Sequence, residues 1–394
     1  MNQPVLFSRQ PIFDAHLNTY AYQLVSASEH SDAEHHGSDT AEVVVNAFSN
    51  LLDNGHVKCL PAWVKVDASW LYDAQFPDLP VESLVLDLTS EALSVSNLAE
   101  ILRDLTVKGY RVSMPADFDV ALHQFAHIIR LDCQQYSADE LVGLAKTIKQ
   151  QRGIKLLAEN VASFEQYNCC KASGFDLFMG WFFAEPQLVS GRKLARNELV
   201  MFQLIGEVNR PEATVDSIEQ ILQRDPELVA SLLKLVNSAA LGGRRTISSI
   251  SEAVINIGLT ELKKWVLLFA LCHNKQVPNE LIGLLLIKAK MCQLMTAKHN
   301  HVDSGTAFMT GLLSGIDAVL GIPLHELLEQ LPVQVEVKRA VLGGNNPLGK
   351  LLAQTEAYIR ADWDQLPKGE EFHFVADCYT KSVTWSSNLL QELS

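Results

Sequence analysis

The feature that most constrains this chain is a change of hydrophobic periodicity near residues 188–200. Up to about Pro186, short β-branched runs alternate with amphipathic stretches at helical spacing. That alternation is typical of βαβ units and predicts an α/β fold built on a parallel sheet or a barrel. Beyond it, apolar residues recur almost continuously at helical spacing, which predicts an all-α region. We therefore predict two domains in the 394-residue chain, at residues 1–192 and 198–394.

The strand and helix signals can be placed along both domains. Strands are predicted at residues 19–25, 63–66, 84–88, 111–114, 128–131 and 154–158, and helices of the first domain at 41–52, 98–107 and 138–150. In the second domain, helices are predicted at about 281–298, 304–319, 323–330, 346–361 and 371–390. A further helix should start at Asp225-Pro226, and Gly258 should separate two others. If the strands close into a barrel, functional groups should cluster at their C-terminal ends.

Charge and hydropathy exclude several classes of function. The net charge of −14 disfavours broad binding to nucleic-acid phosphates, which requires clustered Lys and Arg. The basic pairs Arg244-Arg245 and Lys263-Lys264 are typical of solvated surface. No apolar run approaches the roughly 18 residues that a membrane helix needs, and the first residues do not resemble a secretory signal. We expect a cytoplasmic protein with no membrane partner and no direct nucleic-acid partner.

The seven cysteines are scattered and include no C-x-x-C pair. An odd number without metal-binding spacing is typical of reduced, mostly buried thiols. We expect no disulfide framework and no zinc site.

Several short motifs of the first half occur in a recognisable order. The run Ser8-Arg9-Gln10-Pro11-Ile12-Phe13-Asp14 is followed by Tyr20-Ala21-Tyr22-Gln23-Leu24, and later by Val66-Asp67-Ala68-Ser69, Leu86-Asp87-Leu88-Thr89, Ala116-Asp117-Phe118-Asp119, Arg130-Leu131-Asp132, Ala158-Glu159-Asn160-Val161-Ala162 and Met179-Gly180-Trp181. In this order they resemble the EAL family of cyclic di-GMP phosphodiesterases. The resemblance implies a TIM-type (β/α) barrel and, in the family, hydrolysis with two metal ions held by carboxylates.

Compared position by position, the chain departs from the family pattern. A two-metal hydrolase needs several convergent carboxylates. The family's metal-binding Glu is replaced by Gln23, its first paired Asp by Ala116, its Lys by Arg130, and its Gln by Met179. Carboxylates remain at Asp67, Asp87, Asp117, Asp132 and Glu159. We predict that these nine positions are a vestigial site with no catalytic residue, no metal and no cofactor, and that the chain is not an enzyme. The alternative is that the five carboxylates hold a single metal ion.

The second half resembles the HDOD domain, a helical relative of HD phosphohydrolases that lacks their metal ligands. The resemblance is carried by residues 221–241, ILQRDPELVASLLKLVNSAAL, and by 247–259. An HD hydrolase requires an adjacent His-Asp pair, and at its expected place stand Ser314 and Gly315. The nearby His299-Asn300-His301 is interpreted as a loop that leads to a helix cap at Asp303.

Together the two resemblances predict a bacterial EAL-HDOD signalling protein without catalysis of its own. It would act through protein contacts, with the HDOD domain docking other signalling proteins, in cyclic di-GMP pathways that control motility, biofilm or surface attachment. One alternative is a sensor that binds cyclic di-GMP without cutting it, supported by Arg130, Asp132 and Glu159. Another is residual phosphodiesterase activity that depends on Asp117.

Overall fold

A computed structural model describes most of the chain. The described residues are 7–26, 60–66, 68–73, 81–151, 153–186, 196–210, 212–224, 229–230, 232–233, 237, 247, 249–272, 277–299 and 301–393. Predicted features at residues 41–52, Asp225-Pro226 and Arg244-Arg245 lie outside this set.

Eight strands form the centre of the first half. They are β1 (Phe7–Asp14), β2 (Thr19–Ser26), β3 (Ala62–Val66), β4 (Leu84–Leu88), β5 (Arg111–Pro115), β6 (Ile128–Asp132), β7 (Lys155–Glu159) and β8 (Leu177–Met179). Four described helices lie between them: α1 (Ala68–Asp73), α2 (Leu98–Val107), α3 (Ala138–Ile148) and α4 (Phe164–Ala172). The strands are rich in Val, Ile and Leu because parallel strands in a barrel are buried on both faces.

The strands close into a barrel in sequence order, β1 to β8. β1 is antiparallel to both of its neighbours, β2 and β8. All other adjacent pairs are parallel, so β2 to β8 end at the same rim of the barrel. The predicted α/β barrel is confirmed.

The barrel interior is filled with apolar side chains from seven strands, which we call the apolar layer: Ile12, Ala21, Trp63, Val85, Ile128, Leu157, Leu177 and Met179. A second packed group joins β1 to the end of β8, and it contains the rings of Phe13, Tyr167, Phe178, Phe182 and Phe183. Tyr167 and Phe182 are stacked at 5.1 Å between ring centres. These two groups fix the barrel beneath its C-terminal rim.

The second half is helical. Its described helices are α5 (Arg196–Asn209), α6 (Val215–Leu222), α7 (Ile250–Ile257), α8 (Leu259–Cys272), α9 (Asn279–Met295), α10 (Ser304–Leu313), α11 (Ile316–Leu320), α12 (Leu324–Gln330), α13 (Val335–Val341), α14 (Pro347–Arg360) and α15 (Glu370–Leu393). Gly258, at φ 83°, separates α7 from α8 as predicted. Helices α9 and α10 pack so closely that a Cβ on Gly311 would lie 2.5 Å from the Lys288 carbonyl oxygen.

Four elements differ from the sequence prediction. The strands β1 and β8 were not predicted as strands, since β1 contains Pro11 and β8 has only three residues. The single helix predicted at 304–319 is two helices, because Ser314 ends α10 and Gly315 starts α11. Helix α13 is short and was not predicted.

The chain divides into two compact units, residues 1–183 with 357–376 and residues 184–356 with 377–394. Within the first unit, the Ser8 hydroxyl donates to the Ile359 carbonyl oxygen at 2.8 Å and the Tyr358 hydroxyl donates to that of Phe7 at 3.3 Å. Compact units in space need not coincide with domains along the sequence, so the boundaries at 1–192 and 198–394 stay a prediction. Among the described helices, none is both long and apolar enough to span a membrane.

Candidate functional site

Five side chains form a second tier of the barrel interior, which we call the polar layer: Gln23 on β2, Lys65 on β3, Asp87 on β4, Arg130 on β6 and Glu159 on β7. Each lies two residues after a member of the apolar layer on the same strand. Side chains two apart on a strand point to the same face, so these five also face the interior. The two-residue step moves them toward the C-terminal rim, where barrel sites are formed.

Arg130 is the centre of the polar layer. Its Nε lies 2.8 Å from Asp87 Oδ1, as an ion pair without hydrogen-bond geometry. Its Nη1 donates to both carboxylate oxygens of Glu159, at 3.1 and 3.0 Å, and its Nη2 donates to the Leu88 carbonyl oxygen. The amide of Gln23 donates to Asp87 Oδ2 at 3.3 Å. The planar guanidinium thus ties β4, β6 and β7 together.

Burial sets the electrostatics of this group. The Asp87 side chain is fully buried, whereas those of Arg130 and Glu159 keep 12% and 13% of their surface exposed. Desolvation opposes the charge of Arg130, but the adjacent Asp87 and Glu159 outweigh it and raise the Arg130 pKa. Burial raises the pKa of Glu159, while the Arg130 guanidinium opposes that shift. Arg130 therefore stays charged, and Glu159 is protonated more readily than an exposed glutamate.

Two predicted carboxylates lie near the polar layer without joining it. Asp132, at the end of β6, accepts hydrogen bonds from the Gln134 amide at 2.8 Å and from the Gln135 side chain at 3.2 Å. Asp117 is exposed in the turn after β5, and its charge contributes to the raised pKa of Arg130. Asp132 therefore caps its own loop, and Asp117 acts on Arg130 only through its charge.

The other predicted positions have no polar side chain to contribute or cannot be placed. Ala116 offers only its backbone amide, which donates to the Arg130 carbonyl oxygen at 3.0 Å. Met179 belongs to the apolar layer and is 4% exposed. Asp67 lies outside the described residues. Of the nine predicted positions, the structure brings together Gln23, Asp87, Arg130 and Glu159.

Sequence reasoning missed two members of this region. Lys65 is exposed, and its charge lowers the Glu159 pKa against the effect of burial. Ser113, on β5, is fully buried, and its hydroxyl makes no hydrogen bond to the described residues. A signal for Lys65 was available, because period-two counting from Trp63 places it on the interior face.

The described residues of the polar layer do not fit a pair of divalent metal ions as they are arranged. The two carboxylates that converge, Asp87 and Glu159, are both bonded to Arg130. A divalent metal ion could bind between these carboxylates only by displacing the Arg130 guanidinium, which already neutralises one of their two negative charges. Among the described residues there is also no cluster of three or more His, Cys, Asp or Glu side chains suited to a metal.

The helical region has the cap predicted at Asp303, and two other polar side chains bond to the backbone in the same way. The Asp303 carboxylate accepts from the Thr306 amide at 2.7 Å and so caps α10. The Asn237 side chain bonds to backbone groups of Leu233 and Ile247. Ser314, at the place of the missing His-Asp pair, donates to the Gly311 carbonyl oxygen at 2.8 Å. These polar side chains are occupied by backbone groups.

Comparison with known proteins identifies the helical domain. Residues 194–326 match the model of the HDOD domain, so the chain contains an HDOD domain. It follows a closed eight-stranded barrel. The predicted order of a closed α/β barrel followed by an HDOD domain is confirmed.

Two relatives extend along nearly the whole chain. The uncharacterized protein YuxH of Bacillus subtilis is 26% identical over 418 residues, which cover 98% of this chain and 99% of YuxH. The cyclic di-GMP phosphodiesterase CdgJ of Vibrio cholerae is 28% identical over 369 residues, which cover 90% of this chain and 85% of CdgJ. Among solved structures is the B. subtilis protein YkuI, which has an EAL domain and was solved in complex with substrate c-di-GMP and calcium. It is 16% identical to this chain, with a TM-score of 0.37, and the match covers 64% of this chain and 73% of the YkuI chain.

The similarity to CdgJ links this chain to cyclic di-GMP signalling. It also overturns one prediction. The conclusion that the chain is not an enzyme is wrong, because a relative that aligns with 90% of it is a phosphodiesterase. That conclusion came from counting carboxylates against a family pattern. Such a count reports which ligands are missing and leaves open what the remaining groups do.

Proposed function

We propose that this chain is a cyclic di-GMP signalling protein whose barrel binds cyclic di-GMP at the rim above the polar layer. The observation that carries the proposal is the convergence of Asp87, Arg130 and Glu159 from three strands at the C-terminal rim. Ligands of barrel proteins bind at this rim. The similarity to CdgJ supplies the ligand class.

The polar layer offers groups that complement a guanine dinucleotide. A guanine base presents N1–H and N2–H donors, and a carboxylate can accept both. Glu159 has the exposed surface to do so, and Arg130 holds its carboxylate in place. The two phosphodiesters are anionic. The polar layer contains two cationic side chains, Arg130 and Lys65, and of these Lys65 is the one exposed to solvent. A site held rigid before binding loses less entropy when the ligand arrives.

Calorimetry of the full chain with cyclic di-GMP tests this proposal. We expect micromolar binding that weakens roughly tenfold in Lys65→Gln, since a charge-assisted contact contributes about 1.5 kcal/mol. Lys146→Gln, an exposed lysine in the last turn of α3, is the charge-matched control and should bind like the native chain. No binding at millimolar ligand would refute the proposal. Chromatography of the same samples would show whether a linear dinucleotide forms, as the activity of CdgJ suggests.

We further propose that the helical region docks other signalling proteins. Val335 is the first residue of α13, and Leu342, seven residues later, directly follows its last residue as the C-cap, so the two side chains lie on the same side of this helix. They are 66% and 55% exposed, and apolar side chains exposed together can form part of a protein-binding surface. The expected partners are proteins that control motility, biofilm or surface attachment, and the expected location is the cytoplasm.

A doubly substituted chain tests the docking face. Val335→Ser with Leu342→Ser should retain the native circular dichroism and lose captured partner proteins in an affinity pull-down. Val107→Ser with Val120→Ser removes two apolar side chains of the barrel unit that are even more exposed, at 81% and 68%, and is the control. Equal capture by the two variants would contradict the assignment to α13.

A further inference from the structure

A cavity in the second unit is lined by a concentration of basic side chains. It has a volume of about 450 Å³ and lies between the end of α9 and the start of α14. Lys298, His299 and His301 come from the turn that follows α9, and Lys350 comes from the first turn of α14. The histidines belong to the loop whose Asp303 caps α10, a motif to which the proposed function assigns no role.

The charge of this cavity contrasts with that of the chain. The chain carries a net charge of −14, yet no acidic side chain occurs among the described residues that line the cavity. The closest carboxylate in sequence, Asp303, is held by the Thr306 amide and hydroxyl at 2.7 and 2.8 Å. Lys298, His299, His301 and Lys350 are all exposed and can reach a ligand. A local excess of cations within an acidic protein is an anion-binding feature.

The same cavity has an apolar side. Leu351 is buried in its wall, Val302 is half-buried beside it, and Gln354 adds an amide that can donate or accept. Its volume lies within the range of pockets for small organic ligands, roughly 300–1,000 Å³. An occupant with an anionic group and an organic body would therefore use both sides.

We propose that this cavity is a binding site for a small phosphate-bearing molecule of about mononucleotide size. The positive charges of Lys298 and Lys350 line the same cavity as the two imidazoles and repel a metal cation, so this cavity is better suited to an anion. An extended polyanion is disfavoured because the chain as a whole carries a net charge of −14. The lysines and the imidazole N–H groups of His299 and His301 bind the phosphate, and Leu351 and Val302 contact the organic body.

Calorimetry of the full chain with GMP, guanosine and inorganic phosphate tests the site. We expect GMP to bind, and guanosine to bind at least tenfold more weakly because it lacks the phosphate. The double variant Lys298→Gln with Lys350→Gln should bind GMP at least tenfold more weakly than the native chain, since each charged contact contributes roughly a factor of ten in affinity. Lys146→Gln with Lys338→Gln, on α3 and α13 and outside the cavity lining, removes the same number of charges and should leave the affinity unchanged.

The outcomes separate this site from the barrel. GMP affinity that falls in Lys65→Gln but persists in the lysine double variant would overturn the proposal, because the nucleotide would then occupy the barrel. Failure of both GMP and phosphate to bind the native chain at millimolar concentration would overturn it as well. If the double variant loses its native circular dichroism, His299→Gln with His301→Gln replaces it, and the same tenfold loss is expected.

Discussion

Replacement of Arg130 by methionine removes the charge at the centre of the polar layer and keeps much of the side-chain volume. Asp87, which is fully buried, and Glu159, which is 13% exposed, would then face each other without a counter-charge. Loss of one partner of a buried ion pair costs about 3–5 kcal/mol. We expect the free energy of unfolding of the first unit to fall by that amount at pH 7.

The loss should depend on pH. Burial already raises the pKa of Glu159, and Arg130 is what opposes the shift, so the pKa should rise further in the variant. A carboxyl group whose folded-state pKa is above its unfolded value binds more protons when folded. Its stabilising effect is present at low pH and is lost as the pH rises through the folded-state pKa. The variant should therefore be closer to the native chain at pH 5 than at pH 7.

Hydrogen exchange of the β6 and β7 amides measures this free energy locally, without interference from the second unit. Arg103→Met, an exposed arginine on α2, is the matched control and should change stability by less than about 0.5 kcal/mol. A loss below about 1 kcal/mol in Arg130→Met, or an equal loss at pH 5 and pH 7, would refute the view that Arg130 offsets the negative charge that Asp87 and Glu159 bring into the barrel.

Two further substitutions test the fold around the proposed sites. Gly180→Ala should lower the free energy of unfolding by about 3 kcal/mol or more, because Gly180 has φ 153° and a Cβ there would lie 2.1 Å from the Val161 carbonyl oxygen. Gly143→Ala in α3 has open space around the new Cβ and should raise the free energy of unfolding by up to about 1 kcal/mol. Chemical denaturation compares the two variants, and equal changes would contradict the contact at Gly180. Asp303→Ala should destabilise α10 by about 1 kcal/mol, whereas Asp303→Asn should retain most of the cap. Amide exchange in α10 measures both, and equal losses of stability in the two variants would contradict the capping role.

The barrel was predictable because its strands carry their own signal. Runs such as Leu84–Leu88 are continuously apolar except at one polar position, which is typical of a buried parallel strand. The interior position of Asp87 follows from the same run, since it lies two residues from Val85. Four of the nine predicted site positions converge for this reason. β8 could not be predicted, because three residues are too few to show a period.

The arrangement within the polar layer was beyond sequence reasoning. That Arg130 contacts both Asp87 and Glu159 depends on the register of β6 against β7 and, through β5, on its register relative to β4, which the chain sets only when the barrel closes. Asp132 has the same residue type as Asp87 but turns to its own loop, where backbone amides compete for it. The basic cavity was likewise hidden, because Lys350 and His299 are distant in sequence.

The most direct test of the account is a comparison of cyclic di-GMP with cyclic di-AMP by calorimetry on the full chain. The two ligands share the phosphodiester ring, but adenine lacks the N1–H and N2–H donors that the Glu159 carboxylate would accept. We predict that cyclic di-GMP binds at least tenfold more tightly and that Glu159→Gln reduces the difference. Equal binding of the two ligands, or binding of neither, would contradict the claim that the polar layer recognises guanine.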